Sequence, residues 1–371
     1  MRGLAVLAVV WMGCGGAPLP QTVAAPREEG TEPSPPLRNA FAAGRHRGAC
    51  FAHSLGPGVG YGTPAAAASL GELRDLGVDW VSITPFGFLA APDATEIRVL
   101  HGESDERLRA VTAQAHALGL RVLLKPHLWL RPPHWPGDVS QRDEAGWAAF
   151  FAAYREFVLR YATLGREADV DALLVGNELV ATSGREAEWR ELIAAARREF
   201  PGPLGYGANH SEAELVPFWD ALDFIGVSAY YPLVEASSPS RRQLVEAWGP
   251  ILDRLGALSR RWGRRVVFTE VGYPAADWAA WTPWATESER ADRSEASDPS
   301  QPNTRLQADA FAAFLEAAWP RPWVGGAYWW KWFSADGERD FRDPFAFRGR
   351  PAADVVRAAW TAPDPRSLER R

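Results

Sequence analysis

The stretch DALLVGNEL, residues 171–179, carries the pattern that decides the fold. Apolar and small residues run without interruption from Ala172 to Gly176, and Asn177 and Glu178 follow directly. A continuous apolar run of this kind is typical of a strand that a parallel sheet buries on both faces. A carboxylate at the end of a buried strand needs a reason, and the rest of the sequence decides whether that reason is chemical.

Seven similar runs occur along the chain, with amphipathic helical patterns between them. For example, Ser104 can cap a helix whose apolar positions begin at Leu108 and which ends near Gly119. Strands that alternate with helices from about Gly48 to Trp360 predict the α/β class and a (β/α)8 TIM barrel. The eight runs lie at 48–54, 78–86, 121–130, 171–179, 203–209, 224–231, 265–273 and 323–332.

A doubly wound sheet is the structural alternative to the barrel. GPGVGYG at 56–62 follows the first run, where a phosphate-binding turn would lie in such a sheet. The segment lacks the G-x-G-x-x-G spacing and the P-loop lysine, and no acidic residue ends the second run. We therefore interpret residues 56–62 as a flexible loop and prefer the barrel.

The amino-terminal residues predict an export signal followed by a tether. Residues 1–14 have a charged start, a short apolar core at 3–12, and the ending VWMGCGG around Cys14. This ending is similar to a bacterial lipobox, in which the cysteine carries the lipid; an ordinary secretory signal with an incidental Cys14 is the alternative. Residues 15–45, rich in Pro and charge, predict a disordered tether, and 46–365 then form the barrel domain.

Export and composition together narrow the partners. The protein is expected to be a cell-envelope lipoprotein, or otherwise secreted or periplasmic, with the lipid at Cys14 as its one membrane contact. The 40 basic and 46 acidic side chains give a formal charge of −6, which argues against nucleic-acid binding. The seven histidines form no H-E-x-x-H motif and no paired ligand spacing, so neither a metal nor another cofactor is expected.

The polar residues at the ends of the runs are the candidate site residues, because active sites of such barrels lie at the carboxyl ends of the strands. Two are glutamates: Glu178 ends the fourth run, and Glu270, within FTEVGYP, ends the seventh. Glycoside hydrolysis requires two carboxylates facing one cavity, one holding a proton for the leaving oxygen while the other stays ionised. The other polar run ends are Thr84, Lys125, His127, Asn177, Asn209, His210, Tyr230, Tyr231 and the segment 329–332.

Six motifs resemble those of a known enzyme family and occur in the same order along the chain. VGNEL and FTEVGYP resemble the acid/base and nucleophile motifs of clan A glycoside hydrolases, which place Asn-Glu after strand 4 and a second Glu after strand 7. Together with GVDWVSITPFGF, LLKPHLWL, GVSAYYP and AYWWKW, they are most similar to glycoside hydrolase family 113. That family is known for β-1,4-mannanase activity, and the similarity covers about Gly48 to Trp332.

The resemblance implies roles for the residues in these motifs. Glu178 would be the general acid/base and Glu270 the nucleophile of a retaining mechanism. Asn177 would bind the sugar hydroxyl next to the anomeric carbon, through a contact that strengthens in the transition state. Tyr230 would lie beside Glu270 and orient it.

Five further residues are candidates for substrate binding. Either Trp329 or Trp330 would form the platform under the sugar at the cleavage point, and a one-residue register leaves this choice open. Lys125 and His127, two apart on one strand face, would line the cleft and bind hydroxyls. His127 has the alternative of a satisfied barrel histidine. Asn209 has the alternative of ending its strand without touching substrate.

The connection from 275 to about 302 is long for a strand-to-helix loop and would overhang the site. Trp278, Trp281 and Trp284 lie in its first part. Two interpretations are open: these tryptophans help to form a polysaccharide cleft, or they belong to a packed loop that continues into a disordered acidic tip.

The expected protein is an exported retaining glycoside hydrolase that cleaves a β-linked polysaccharide or oligosaccharide by double displacement, with β-1,4-mannan favoured. Its expected partner is the carbohydrate substrate. One alternative is the same fold and mechanism on another glycan, such as glucan, galactan or a cell-wall glycan. A second is a non-catalytic carbohydrate-binding lipoprotein, although binding alone requires neither an acid nor a nucleophile.

Overall fold

The computed structural model describes residues 39–42, 44–54, 58–99, 103–285, 302–335 and 343–362. The predicted export signal, with Cys14, and residues 15–38 of the predicted tether lie outside these described residues. Ala40 lies against the barrel: it is buried, and its carbonyl oxygen accepts a hydrogen bond from His46 Nε2 at 2.9 Å.

Eight strands close into a barrel in which every neighbouring pair is parallel, which confirms the predicted (β/α)8 TIM barrel. In the described part of the chain the strands are β1 (His46–Ala52), β2 (Trp80–Ile83), β3 (Phe86–Leu89), β4 (Arg98–Val99), β5 (Arg121–Leu124), β6 (His127–Leu130), β7 (Ala172–Asn177), β8 (Leu204–Asn209), β9 (Phe224–Ser228), β10 (Val266–Val271) and β11 (Val324–Phe333). Their order around the barrel is β1-β11-β10-β9-β8-β7-β5-β2.

Two prolines divide strands at the carboxyl end of the barrel. The run predicted at 121–130 forms β5 and β6, and the run predicted at 78–86 forms β2 and the start of β3. Pro85 and Pro126 lie at the two breaks, where a residue without an N–H cannot extend a strand ladder. Beyond the breaks, β3 pairs with β4 and β6 in a separate three-stranded rim sheet.

The described residues form seven α-helices, of which the first six lie between strands and the seventh follows the last strand. They are α1 (Pro64–Asp75), α2 (Asp105–Ala117), α3 (Glu144–Glu167), α4 (Glu186–Glu199), α5 (Arg241–Trp262), α6 (Thr304–Ala317) and α7 (Pro351–Thr361). The predicted cap of α2 is confirmed, because Ser104 Oγ accepts a hydrogen bond from the Arg107 N–H at 3.4 Å. None of the helices in the described part of the chain is long and apolar enough to cross a membrane.

Large side chains fill the amino-terminal end of the barrel interior. The His46 ring stacks on Trp80 with centroids 3.8 Å apart, and His46 Nδ1 lies 3.0 Å from the Tyr328 hydroxyl. Trp80 and Tyr328 belong to a buried cluster with apolar residues of β5, β7, β9 and β10. Because this end is packed, a ligand of the barrel is expected at the carboxyl ends of the strands.

Candidate active site

Glu270 lies at the centre of a buried polar network at the carboxyl end of the barrel. It is on β10, and only 3% of it is exposed. Lys125 Nζ, at the end of β5, donates to Glu270 Oε1 at 2.5 Å, and the Tyr230 hydroxyl donates to Oε2 at 2.7 Å. The predicted proximity of Tyr230 and Glu270 is therefore observed.

The surroundings of Glu270 favour its ionised form. Burial alone would raise the pKa of its carboxyl, but the Lys125 ammonium and the hydrogen bonds from Lys125 and Tyr230 hold the pKa below its usual value. The same pairing keeps Lys125 protonated: burial acts to lower its pKa, and the Glu270 charge raises the pKa above the ordinary lysine value. A buried lysine is tolerated here because it has a carboxylate partner.

Glu178 follows β7 and has the opposite electrostatic character. Burial, followed by the charge of Glu270, raises the pKa of Glu178 to about 8. Its backbone has φ of 54°, a left-handed conformation that is uncommon outside glycine, and its N–H donates to the Gly207 carbonyl at 2.7 Å. Asn209 Nδ2 donates to Glu178 Oε1 at 3.0 Å. The two glutamates thus differ in the protonation state that their surroundings favour at neutral pH.

Asn177 links His127 to Glu270. Its Nδ2 lies 3.2 Å from His127 Nε2 and 3.4 Å from Glu270 Oε1. Since the amide Nδ2 is a donor, His127 Nε2 accepts and the ring proton belongs on Nδ1. Burial lowers the pKa of His127 to about 4, so the ring is neutral. A side chain at Gly207 would not fit, because its Cβ would lie 2.2 Å from Asn177 Oδ1.

Two polar atoms of this network have hydrogen-bonding capacity that no described residue uses. Asn177 Oδ1 and His127 Nδ1 are buried and have no hydrogen-bond partner among the described residues. One is an acceptor and the other, by the tautomer above, is a donor. A buried polar group of this kind needs a partner, and a sugar hydroxyl can both donate and accept.

The structure decides between the two tryptophans of β11. Trp329 is fully buried outside the barrel, where its ring stacks on Phe311 of α6 with centroids 4.1 Å apart. Trp330 points the other way and is partly exposed, with Lys125 Nζ 5.1 Å from its ring centroid. The expectation that Trp329 is a candidate platform is therefore wrong, since a stacked core side chain cannot also face the cleft. Trp330 is the one beside Lys125, which pairs with Glu270.

Sequence reasoning missed a buried carboxylate that supports the site from behind. Glu212 is fully buried; its Oε1 accepts from the Tyr206 hydroxyl at 2.6 Å and its Oε2 from the Asn209 N–H at 3.0 Å. The Tyr206 hydroxyl accepts from the Leu179 N–H at 3.0 Å. Glu212 thus positions Leu179, the residue after Glu178, through Tyr206. It also positions Asn209, which donates a hydrogen bond to Glu178. A carboxylate three residues beyond Asn209 was the available signal in the sequence.

The three tryptophans of the long connection have different surroundings. Trp278 is 4% exposed and packs in a small cluster with Ala276 and Ala285, and Trp281 packs against it. Trp284 is 47% exposed, and its ring stacks on His210 with centroids 5.4 Å apart. The first part of the connection is thus a packed loop that leaves Trp284 at the rim, while the predicted acidic tip at 286–301 lies outside the described residues.

Among the described residues, no group of three or more His, Cys, Asp or Glu side chains is arranged so that it could hold a metal ion. Cys50 is buried with a free thiol, and burial raises its pKa to about 11. The site described above is therefore built from carboxylates, amides, one lysine, one histidine and aromatic rings.

Comparison with known protein families gives one family. The model described as Glycoside Hydrolase Family 113 matches residues 52–341. This range contains every residue of the polar network described above. No curated protein sequence matches the chain significantly.

Solved structures with the same fold include two of that family. A β-mannanase from Alicyclobacillus acidocaldarius in complex with ManMIm is 28% identical, with a TM-score of 0.74, and the match covers 87% of this chain and 99% of that one. A β-1,4-mannanase is 26% identical with a TM-score of 0.73, covering 86% and 99%. A β-glucuronidase from Ruminococcus gnavus, 16% identical with a TM-score of 0.58, covers 85% of this chain and 50% of its own, and it shows a shared fold alone.

Proposed function

The chain belongs to glycoside hydrolase family 113, and from that premise we propose that it is a retaining β-mannanase-like enzyme that cleaves a β-1,4-linked mannan. The observation that carries the proposal is the contrast between two carboxyls in one site. The pKa of Glu178 is raised to about 8 and that of Glu270 is held below its usual value. One is then an acid and the other a carboxylate at neutral pH, as a glycosidase requires.

In the first step of the proposed mechanism, Glu270 attacks the anomeric carbon. A bond forms between its carboxylate oxygen and that carbon while the glycosidic C–O bond breaks. Glu178 gives its proton to the leaving oxygen, so that the aglycone departs as an alcohol. The donors on Glu270, Lys125 and Tyr230, hold the carboxylate in position before it reacts.

In the second step, water replaces Glu270. Glu178, now ionised, takes a proton from water as the water oxygen attacks the anomeric carbon, and Glu270 leaves as a carboxylate. Once Glu270 is esterified it has no charge, so its contribution to the raised pKa of Glu178 disappears. The pKa of Glu178 therefore falls when it must act as a base, which suits the change of role.

The remaining residues of the site have proposed roles in substrate binding. Asn177 Oδ1 and His127 Nδ1 offer free hydrogen-bonding capacity to sugar hydroxyls. Trp330 offers a ring beside Lys125, the partner of Glu270, on which the apolar side of a pyranose can stack. Asn209 acts through Glu178, whose carboxylate it holds at 3.0 Å.

Mannan is proposed as the substrate because of the relatives. Two family members with solved structures are a β-1,4-mannanase and a β-mannanase, and both are covered almost completely by the match. The decisive experiment measures reducing ends released by wild type, Glu178→Gln and Glu270→Gln from mannan, glucan, galactan and xylan. Release from mannan by wild type alone supports the proposal. If wild type releases reducing ends only from another glycan, that glycan replaces mannan as the proposed substrate. If wild type binds a glycan but releases no reducing ends, only a binding function remains.

The retaining mechanism has a direct test in the first product. Proton NMR of an early time course distinguishes the anomers, and retention predicts that the β-anomer appears first. An initial α-anomer would mean inversion, in which the two carboxyl groups stand about 6.5–9.5 Å apart rather than about 5–5.5 Å.

Export with a lipid at Cys14 is proposed from the signal-like residues 1–14. Incorporation of labelled palmitate into the full chain, expressed in a bacterium, tests it. Cys14→Ala should abolish labelling. Cys50→Ala removes the second of the two cysteines and serves as the matched control. Labelling that survives Cys14→Ala, or export without labelling, would overturn the lipid anchor.

A further inference from the structure

The rim sheet formed by β3, β4 and β6 has one buried face and one open face. On the buried face, Leu89, Leu128 and Leu130 are at most 2% exposed. Gly87 belongs to the same face, where an added Cβ would lie 2.7 Å from both Ile97 and Phe157. Since side chains alternate along a strand, the residues between them point to the opposite, open face.

Two aromatic pairs lie in consecutive rows on the open face. β3 and β6 are parallel, and their register pairs Phe86 with His127 and Phe88 with Trp129. The rings of Phe86 and His127 stack with centroids 5.6 Å apart, and those of Phe88 and Trp129 are 5.5 Å apart at 37°. The two rows thus form a continuous aromatic strip along the sheet.

The inner row belongs to the candidate active site. His127 Nε2 lies 3.2 Å from Asn177 Nδ2, which in turn is 3.4 Å from Glu270. The outer row lies two residues further along both strands, roughly 6.6 Å away at the usual strand rise. That is of the order of one sugar unit in an extended chain. A glycan lying on the strip would therefore reach Trp129 with the unit that follows the one near His127.

Trp129 is exposed although it lies in a regular strand. It is 44% exposed, against 9% for His127 in the same strand. The remaining residue of the outer row is Arg98 of β4, which pairs with Phe88 in the antiparallel register. Two of the three nitrogens of its guanidinium, Nε and Nη2, donate to Glu96 at 2.9 and 3.1 Å, so its charge is balanced locally.

We propose that Phe88 and Trp129 form a distal subsite that binds a neutral pyranose unit of the glycan chain, one unit beyond the row of Phe86 and His127. The subsite rests on the proposed function. Aromatic rings offer a flat apolar surface to the C–H face of a sugar ring. The ion pair of Glu96 and Arg98 at the edge of the row supplies both acceptors and donors to hydroxyls without a net charge, which favours a neutral sugar over a charged one.

The test compares substrates that differ in length. Manno-oligosaccharides of two to six units are given to wild type, Trp129→Ala and Trp129→Phe, and kcat and KM are measured for each. For the longest substrates, Trp129→Ala should raise KM about tenfold with little change in kcat, because a distal platform binds ground state and transition state alike. The shortest cleaved substrate should be unaffected, and Trp129→Phe should restore most of the loss.

Two outcomes would overturn the subsite while leaving the proposed function intact. One is an equal loss on short and long substrates, and the other is no loss on any substrate. Calorimetric titration of Glu178→Gln, with and without Trp129→Ala, against mannohexaose covers the case in which wild type cleaves nothing. Tighter binding with Trp129 present supports the subsite even if the catalytic proposal fails, and equal binding overturns it.

Trp284→Ala is the matched control for these measurements. Trp284 is also an exposed tryptophan at the rim, with 47% exposure, but it stacks on His210 after β8 rather than on the rim sheet. The shortest oligosaccharide for which Trp129→Ala raises KM should be the same whether or not the protein also carries Trp284→Ala. If Trp284→Ala alone raises KM from the same substrate length onward as Trp129→Ala does, the rise in KM follows from losing any exposed rim tryptophan. The assignment of the subsite to Phe88 and Trp129 is then wrong.

Discussion

Lys125 Nζ lies 2.5 Å from Glu270 Oε1, and both side chains are buried at the carboxyl end of the barrel. The two residues are 145 positions apart in the sequence; Lys125 directly follows β5, and Glu270 lies on β10. This ion pair keeps Glu270 ionised in a place where burial alone would favour its protonated form.

Lys125→Met should therefore shift the pH dependence of activity. Without the ammonium the pKa of Glu270 rises, so the acidic limb of the kcat/KM profile moves to higher pH and the activity at neutral pH falls by roughly tenfold or more. Lys331→Met is the matched control, since Lys331 is the second of the two lysines and pairs with Asp343 at 2.9 Å. An acidic limb that stays in place in Lys125→Met would contradict the role of the pair.

The two glutamates should have opposite effects on stability. The folded-state pKa of Glu178, about 8, lies above the ordinary value of 4.5. Between these values the folded state holds a proton that the unfolded state has lost, so stability falls as pH rises from 4.5 to 8. Glu178→Gln removes this loss, and its Tm should exceed that of wild type by an amount that grows across this pH window.

Glu270→Gln should destabilise instead, because it leaves the buried Lys125 ammonium without a carboxylate, at a cost of about 3–5 kcal/mol. The folded pKa of Glu270 is depressed, so its stabilising contribution is present above the ordinary pKa and is lost as pH falls through the folded value. The difference in Tm between wild type and Glu270→Gln should thus shrink on acidification. Equal Tm changes in both variants at every pH would contradict the assigned charge states.

Asn209 should tune the acid. Its Nδ2 donates to Glu178, and this hydrogen bond acts against burial and the Glu270 charge to lower the pKa of Glu178. Asn209→Ala should therefore move the basic limb of kcat/KM to higher pH while the acidic limb stays in place. Ser211→Ala is the control, because Ser211 contacts the oxygen of the Asn209 amide rather than Glu178. A basic limb that is the same in both variants would argue against Asn209 as a partner of the acid.

The two neighbouring tryptophans of β11 should separate activity from stability. Trp330→Ala removes the ring beside Lys125 and should lower kcat/KM by about tenfold or more, with a modest loss of stability. Trp329→Ala leaves a cavity against Phe311 and should cost about 3–5 kcal/mol in the free energy of unfolding. Denaturant titration and steady-state kinetics on both variants check the pair. The reverse pattern would mean that the cleft face of β11 is misassigned.

Much of the site was predictable because parallel strands bring their carboxyl ends to one rim. Lys125, His127, Asn177, Glu178, Asn209, Tyr230 and Glu270 were all identified as polar residues that end strands. Five of them form one hydrogen-bonded network around Glu270, and Asn209 forms a separate hydrogen bond with Glu178. The relationships within that network were not predictable. Which of the two carboxylates forms the ion pair with Lys125 depends on the way the barrel closes.

Two features of the structure were missed because the hydrophobic pattern does not show them. The runs at 78–86 and 121–130 were each predicted as a single strand, but Pro85 and Pro126 divide them, and a separate rim sheet results. Glu212 was missed because it lies in a turn rather than at a strand end, and its importance comes from its hydrogen bonds to Tyr206 and Asn209. Hydrophobic pattern identifies elements, while hydrogen bonds between elements have no pattern in a single sequence.

The sequence by itself determined the barrel and the presence of Glu178 and Glu270 on one rim, because the period of apolar residues and the parallel order of the strands require both. The tertiary structure alone decided that Trp330 rather than Trp329 faces the site, since a shift of one residue reverses every side chain of a strand. It also decided the charge states: Glu178 and Glu270 are chemically identical, and only their buried neighbours move their pKa values apart.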